Sequence, residues 1–336
     1  MDKLIHADSN LDEIGVINAY TQFDAQLHDN GEMADNTFQL TMPVGAWQLD
    51  KIQRGDYVYI NGTEYGGLVS SVNKNTNDGT VTVKGVLWRG LLAMRIISPP
   101  SGSAYQVYTN TELNALIADV IGNDYGGLFS CMTISTGVTT SCQFRYTQKL
   151  KGLTKALAQE GFTLSCVYWA SIKAVLTEAR ACTDYSSYAD ISSDLGIGLS
   201  ITAGRVDDYN HCIALGTGEL TERMVREIWM LDGAIYTARP AALTEEKLRS
   251  MVFDYPNAES ADELLQSASS ALLQYAAMTS AEIDLQKAQE QLNINLKLGD
   301  VIQTIDRDLN ISAAKKVSQR ILTMTASGTT IRTEVD

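Results

Sequence analysis

One short pattern occurs twice in this chain, close to its two ends, and that recurrence limits the architecture more than any other feature. At residues 52–72, "IQRGDYVYINGTEYGGLVSSV", the pair Gly55-Asp56 leads "YVYI", a polar turn and "GGLVSSV"; a second turn, "NKNTNDG", and "TVTVKG" follow. At residues 296–322, "LKLGDVIQTIDRDLNISAAKKVSQRIL", Gly299-Asp300 leads "VIQTI", a turn, "AAKKVSQRIL", and then "TASG" and "TTIRTEV". Apolar residues alternate with polar ones as in half-buried strands, and Gly, Asn and Asp mark the turns. Each stretch therefore predicts a three-stranded meander of about the same length, and an internal repeat is weighed before single motifs. Arg54-Gly55-Asp56 resembles an adhesive tripeptide, but position 54 becomes Leu298 in the second copy while Gly-Asp is kept. Gly55, Asp56, Gly299 and Asp300 are expected at the turn that opens each module.

The signals between the meanders are mixed. "FQLTMPV" reads as a strand, and Asn61-Gly62 suits a type I′ hairpin turn with positive φ at both central residues. After Pro99-Pro100, Thr109 and Glu112 have capping-box spacing. Leu113, Leu116, Ile117, Val120 and Ile121 then mark one helical face that Gly122 ends. Leu150, Leu153 and Leu157 indicate a second helix stopped by Gly161, followed by a strand pair, "FTLSCVYWA" and "SIKAVLTEA". Further on, "GLSITAG" and "HCIALG" read as strands and "TEEKLRSMVFDY" as a helix stopped by Pro256. Ser260 and Glu263 cap a clearer helix that runs to Met278. The expected fold class is α+β: two small β-barrel domains with inserted α/β regions. Its segments are 1–100 (first barrel), 101–189 (small α/β domain) and 190–336 (strands and helices completing the second barrel).

Composition narrows the function. The formal charge is −14, with 40 acidic against 26 basic residues. That opposes a grip on nucleic acid, which needs clustered Lys and Arg to displace counterions. No stretch has the length and apolarity of a membrane span, and the N-terminus lacks the apolar core of a signal peptide. Five cysteines without a CxxC pair argue against a disulfide framework or a zinc site. The three histidines, His6, His28 and His211, are expected at the surface or in turns. His211 and Cys212 are adjacent on a strand and so point to opposite faces. Asp207-Asp208 and Glu245-Glu246 are consecutive rather than facing pairs. Gly196–Gly198 and Gly216–Gly218 lack the third glycine of a dinucleotide fingerprint, and no P-loop or nucleophile elbow occurs. No catalytic residue, metal ligand or cofactor site is expected.

Four stretches together resemble the baseplate hub, or tail-tip hub, proteins of tailed bacteriophages and phage-like contractile injection particles. They are "FQLTMPV" ahead of the first meander; "VKGVLWRGLLAMRII" with Arg89 and Arg95; "VDDYNHCIALGTGELTERMVRE" with Asn210, Gly216, Gly218 and Arg223; and the late "LKLGDVIQTI" meander. The resemblance implies tube-type barrels, two per subunit. A homotrimer would then make a pseudo-sixfold ring that adapts a sixfold tail tube to a threefold tip and lines the channel. It implies a virion tail location after assembly in the bacterial cytoplasm, and DNA that passes without specific binding. The tail tube or a distal tail protein would lie above; a spike, fibre or tape-measure protein would lie below. Because the last meander ends the sequence, a spike or lytic activity is expected on another polypeptide. The rival readings are a receptor- or glycan-binding adhesin, for which Tyr168, Trp169, Tyr185 and Tyr188 would supply aromatics, and a peptidoglycan hydrolase.

Overall fold

The computed structural model describes residues 3–186, 190–192, 199–203, 209–258, 260–273, 275, 279–283, 294–306 and 311–335. Gly196, Gly198, Asp207, Asp208 and Tyr188 lie outside them. The chain is α+β and rich in sheet. It folds into two compact units, Met1–Leu199 with Ile283–Asp336, and Ser200–Glu282. The segment expected at 190–336 is thus divided between them, because its last strands pair with N-terminal ones.

The first unit opens with β1 (Leu4–Ala7), β2 (Glu13–Val16), β3 (Gln22–His28), β4 (Thr37–Pro43), α1 (Val44–Asp50), β5 (Tyr57–Ile60), β6 (Gly66–Asn75) and β7 (Thr80–Leu87). It continues with α2 (Trp88–Leu92), β8 (Ile96–Ile97), β9 (Gln106–Glu112), α3 (Leu113–Ile121), β10 (Phe129–Cys131), β11 (Thr139–Phe144) and β12 (Thr147–Gln148). Next come α4 (Lys149–Gln159), β13 (Phe162–Trp169), β14 (Ala174–Ala181) and β15 (Asp190–Ser192). The second unit holds β16 (Leu199–Ala203), β17 (His211–Leu215), β18 (Val225–Leu231), β19 (Ala234–Tyr236), β20 (Ser250–Asp254), α5 (Ala261–Leu273) and β21 (Thr279–Ile283). The chain then returns to the first unit as β22 (Val301–Asp306), β23 (Ile311–Thr325) and β24 (Gly328–Val335).

The two meanders, β5-β6-β7 and β22-β23-β24, belong to one eleven-stranded sheet. Its order is β15-β22-β23-β3-β4-β7-β6-β5-β1-β2, with β24 also on β23. Antiparallel β3 and β4 join the meanders, Leu322 facing Ala25 and Ala25 facing Phe38. Among the described residues no pairing closes this sheet into a barrel. Period-two alternation determines its inner face: Phe23, Ala25 and Leu27 of β3 are buried, as are Phe38, Leu40 and Met42 of β4. They share one apolar core with Val58 and Val83 of the first meander and Ile302 and Leu322 of the second.

A second core lies under α2, α3 and α4. Trp88 stacks on Tyr168 at 4.6 Å between ring centroids, and Leu116, Leu153 and Leu164 pack around them. The Thr109–Glu112 capping box does not form. Thr109 lies in β9, and Glu112 itself caps α3 by accepting from Ala115 N–H at 3.0 Å. Nor is Asn61-Gly62 a type I′ turn: of the two, only Gly62 has positive φ, and its N–H donates to Tyr168 O. The loop is shaped by β13, which runs beside it.

In the second unit the sheet β19-β18-β17-β20 carries α5 on one face, where Cys212, Ala214, Ile228, Leu264, Ala268 and Leu272 are buried. The helix expected over "TEEKLRSMVFDY" is a single 3-10 turn, Glu245–Lys247, followed by β20. Met251 and Phe253 sit two residues apart against the α5 core, and parallel pairing to β17 satisfies the backbone. That gain outweighs the helical propensity of Glu and Lys.

Candidate structural site: the two Gly-Asp turns

Both Gly-Asp pairs sit in a turn immediately before a strand, and the hydrogen bonds correspond one for one. Gly55 has φ +96° and Gly299 φ +85°, a region that strongly favours glycine. Gly55 N–H donates to Val69 O at 3.0 Å, and Gly299 N–H donates to Val317 O at 2.8 Å. In return Val69 N–H donates to Asp56 O and Val317 N–H to Asp300 O, each at 2.8 Å. Asp56 N–H donates to Gln53 O at 3.2 Å, and Asp300 N–H to Lys297 O at 3.1 Å. Each carboxylate then folds back on its own turn. Asp56 Oδ2 accepts from Gln53 N–H and Asp300 Oδ2 from Lys297 N–H, both at 2.8 Å. Ile52 and Leu296, at the same offset before the glycine, are fully buried, as are Val58 and Ile302 after it. The aspartate is an acceptor that spares a turn amide from going unsatisfied; the glycine permits the backbone to reverse.

The clasps outside each turn differ. His6 Nε2 lies 2.9 Å from Asp56 Oδ2, joining β1 to the first turn. Asp300 Oδ1 accepts from Arg180 Nη1 at 3.0 Å and from Thr183 N–H at 2.9 Å, while Arg180 Nη2 donates to Leu298 O. The first carboxylate keeps 14% of its surface in water and the second 1%, so the second turn carries the more deeply buried carboxylate. Packing differs in the same sense. A Cβ on Gly55 would meet nothing within 4 Å, whereas one on Gly299 would lie 2.7 Å from Cys182 Sγ.

His6 and His211 are buried, contrary to the expectation of surface positions; each finds a partner, Asp56 for His6 and Ser250 at 2.7 Å for His211. Histidine has a polar edge and an apolar ring, so one hydrogen bond makes burial tolerable. His28 accepts from Asn30 N–H in a turn. The three histidines occupy separate places, and no group of His, Cys, Asp and Glu among the described residues could hold a metal ion. Arg89 is buried and donates to His28 O and Leu164 O, tying β3 to β13. Burial opposes its charge, but Glu64 at 3.5 Å and Asp29 outweigh that and hold the guanidinium pKa above its ordinary value. Arg95 is exposed. Asn210 Oδ1 accepts from Arg249 N–H, and Arg223 donates to Gly216 O and Asp254. Of the aromatics, Tyr168 is buried, Tyr185 packs on the first core, and Trp169 is 42% exposed at a hairpin end. Sequence alone did not reveal His6 or Arg180, which lie 50 and 120 residues from their aspartates.

No family model and no curated protein matches this sequence. The fold has counterparts among solved structures. A 43 kDa tail protein of prophage MuSo2 from Shewanella oneidensis aligns over 100% of this chain and 98% of its own, with TM-score 0.57 and 11% identity. A tail protein from Neisseria meningitidis MC58 aligns over 99% and 95%, with TM-score 0.53 and 10% identity. The prophage tail protein gp18 from Listeria monocytogenes EGD-e aligns over 99% and 94%, with TM-score 0.52 and 11% identity. Over essentially its whole length, this chain has the fold of prophage tail proteins.

Proposed function

We propose that this chain is the structural hub of a phage tail baseplate or tail tip, three copies forming a pseudo-sixfold ring around the channel. The observation that carries this reading is the pair of matched Gly-Asp turns within one chain. Two like modules per subunit turn threefold symmetry into an approximate sixfold, which a joint between a sixfold tube and a threefold tip requires. In the ring, the open eleven-stranded sheet would contribute both tube-type modules. Its outward face over β3, β4 and β23 bears Asp24, Gln26, Gln39, Thr41 and Thr323. A polar, weakly acidic face of this kind suits a passage that DNA crosses without adhering. The tail tube or a distal tail protein would sit above the ring, and a spike, fibre or tape-measure protein below. The role is non-catalytic: His6, Arg89, Arg180 and Asp300 hold strands and turns together. Native mass spectrometry of the purified chain, and of tails containing it, tests the stoichiometry; a trimer is expected, and a hexamer or one copy per tail would refute the reading. A second reading, a glycan-binding adhesin, draws on exposed Trp169, which packs on Gly62 beside Asn61. A glycan array on wild type and Trp169→Ala separates the two, since the hub reading expects no signal.

A further inference from the structure

Strand register in the second unit gathers side chains that are far apart in sequence. β17 pairs in parallel with β20 and antiparallel with β18, so Ser250 and Trp229 stand opposite His211, and Glu227 stands diagonal to it, opposite Ile213. All four lie on the face turned away from α5, because their neighbours Cys212, Ile228 and Met251 point into the α5 core. The Ser250 hydroxyl lies 2.7 Å from His211 Nδ1, and Glu227 Oε2 lies 3.4 Å from His211 Nε2. The contacts therefore run from hydroxyl to imidazole to carboxylate. Trp229 lies nearly flat on the imidazole, 5.2 Å between centroids and 15° between planes, and His211 is buried. Ser250 is exposed. Asn210 holds the segment before it, donating from its side chain to Lys247 O and accepting from Arg249 N–H, both at 2.8 Å.

A neutral imidazole carries one N–H and one lone pair, and the groups around it decide which nitrogen has which. The Glu227 carboxylate favours the proton on Nε2, which leaves the Nδ1 lone pair facing the Ser250 O–H. We propose that these residues form an acyl-transfer site that hydrolyses carboxylic esters, with Ser250 as nucleophile, His211 as general base and Glu227 as a positioning residue. As Ser250 Oγ bonds to the ester carbonyl carbon, its proton passes to Nδ1, and Glu227 faces the imidazolium that results. Collapse breaks the C–O bond to the alcohol, and Nδ1 returns the proton to the departing oxygen. Water then attacks the acyl-serine and gives a proton to Nδ1, which passes it to Oγ as the acid leaves. A general base contributes about 10²–10⁴-fold. That suffices for an ester with a good leaving group and falls short of what an amide requires, so esters are the substrate class. Ile213 and exposed Val252, in the next row of the same face, offer an apolar neighbour to a short acyl chain, and Glu227 disfavours an anionic one.

The test treats the full chain with a fluorophosphonate, which the serine attacks at phosphorus with loss of fluoride, and maps the label by peptide mass spectrometry. Hydrolysis of p-nitrophenyl acetate is followed in parallel. Label is expected on Ser250 and should vanish in Ser250→Ala, an exposed change that leaves the circular dichroism spectrum unaltered. His211→Gln should slow labelling and hydrolysis at least about 100-fold. Glu227→Gln should lower kcat about tenfold with KM unchanged, a split that a purely structural role would not produce. No label on Ser250 in the folded wild type, or hydrolysis that Ser250→Ala retains in full, overturns the assignment. So does a folded His211→Gln that labels at the wild-type rate; if that variant does not fold, the Ser250→Ala and Glu227→Gln comparisons decide. The site stands apart from the two Gly-Asp turns, so its failure would leave the hub reading as it is.

Discussion

Alanine at Gly299 should destabilise the fold more than alanine at Gly55, although the two glycines occupy equivalent turns. Both substitutions force a side chain into the left-handed region, at φ +96° and +85°, which costs roughly 1–2 kcal/mol. At Gly55 that is the whole penalty, since the new Cβ enters open space. At Gly299 the Cβ would stand 2.7 Å from Cys182 Sγ and 3.2 Å from Thr163 Cβ. Those neighbours must shift, adding about 1–3 kcal/mol of overpacking. The totals are about 1–2 kcal/mol against about 2–5 kcal/mol. With a urea slope near ~3 kcal/mol per molar, the midpoints should fall by about 0.5 M and about 1 M respectively. The contact that differs is a sulfur, so adding Cys182→Ala to Gly299→Ala should recover much of the extra loss. Equal midpoint shifts for the two alanines, or no recovery on removing the sulfur, would mean that the Cys182 contact is not what separates the two turns.

Four further outcomes follow from the same contacts. Arg54→Ala, at an exposed side chain in the first turn, should move the midpoint by less than about 0.5 kcal/mol equivalent, as measured by urea unfolding. Asp300→Ala strands Arg180 and two turn amides at a buried site and should cost about 3 kcal/mol or more by the same assay. Glu112 is held below its ordinary 4.5; burial acts to raise it, but hydrogen bonds from Thr136 and Ala115 prevail. Its stabilising contribution is therefore present above about pH 4.5 and is lost as pH falls through the depressed folded value, so Glu112→Gln should flatten the acid limb of a stability–pH curve. Burial raises the thiols of Cys166 and Cys212, the latter to about 11, so neither should react with a thiol reagent at pH 8 until urea unfolds the chain.

What the sequence made legible was local. The two Gly-Asp turns were visible because a positive φ demands glycine and an aspartate that caps its own turn must be adjacent to it. Helices α3, α4 and α5 were visible for a similar reason: their apolar faces recur within a few residues, as Leu113, Leu116 and Leu150, Leu153 do. The strand β20 was misread because Thr244-Glu245-Glu246-Lys247 has the character of a helix start, while its parallel partner β17 lies about forty residues earlier. The meanders were visible, but not their union through β3 and β23, whose paired residues are about 300 positions apart. His6 and Arg180 were hidden by the same distance in sequence.

A cryo-EM map of the tail tip would read the copy number and the placement of both turns at once. Three copies are expected, with the Gly55 and Gly299 turns alternating around the channel at similar radius, roughly 60° apart. Six copies, or two turns at clearly different radii, would contradict it.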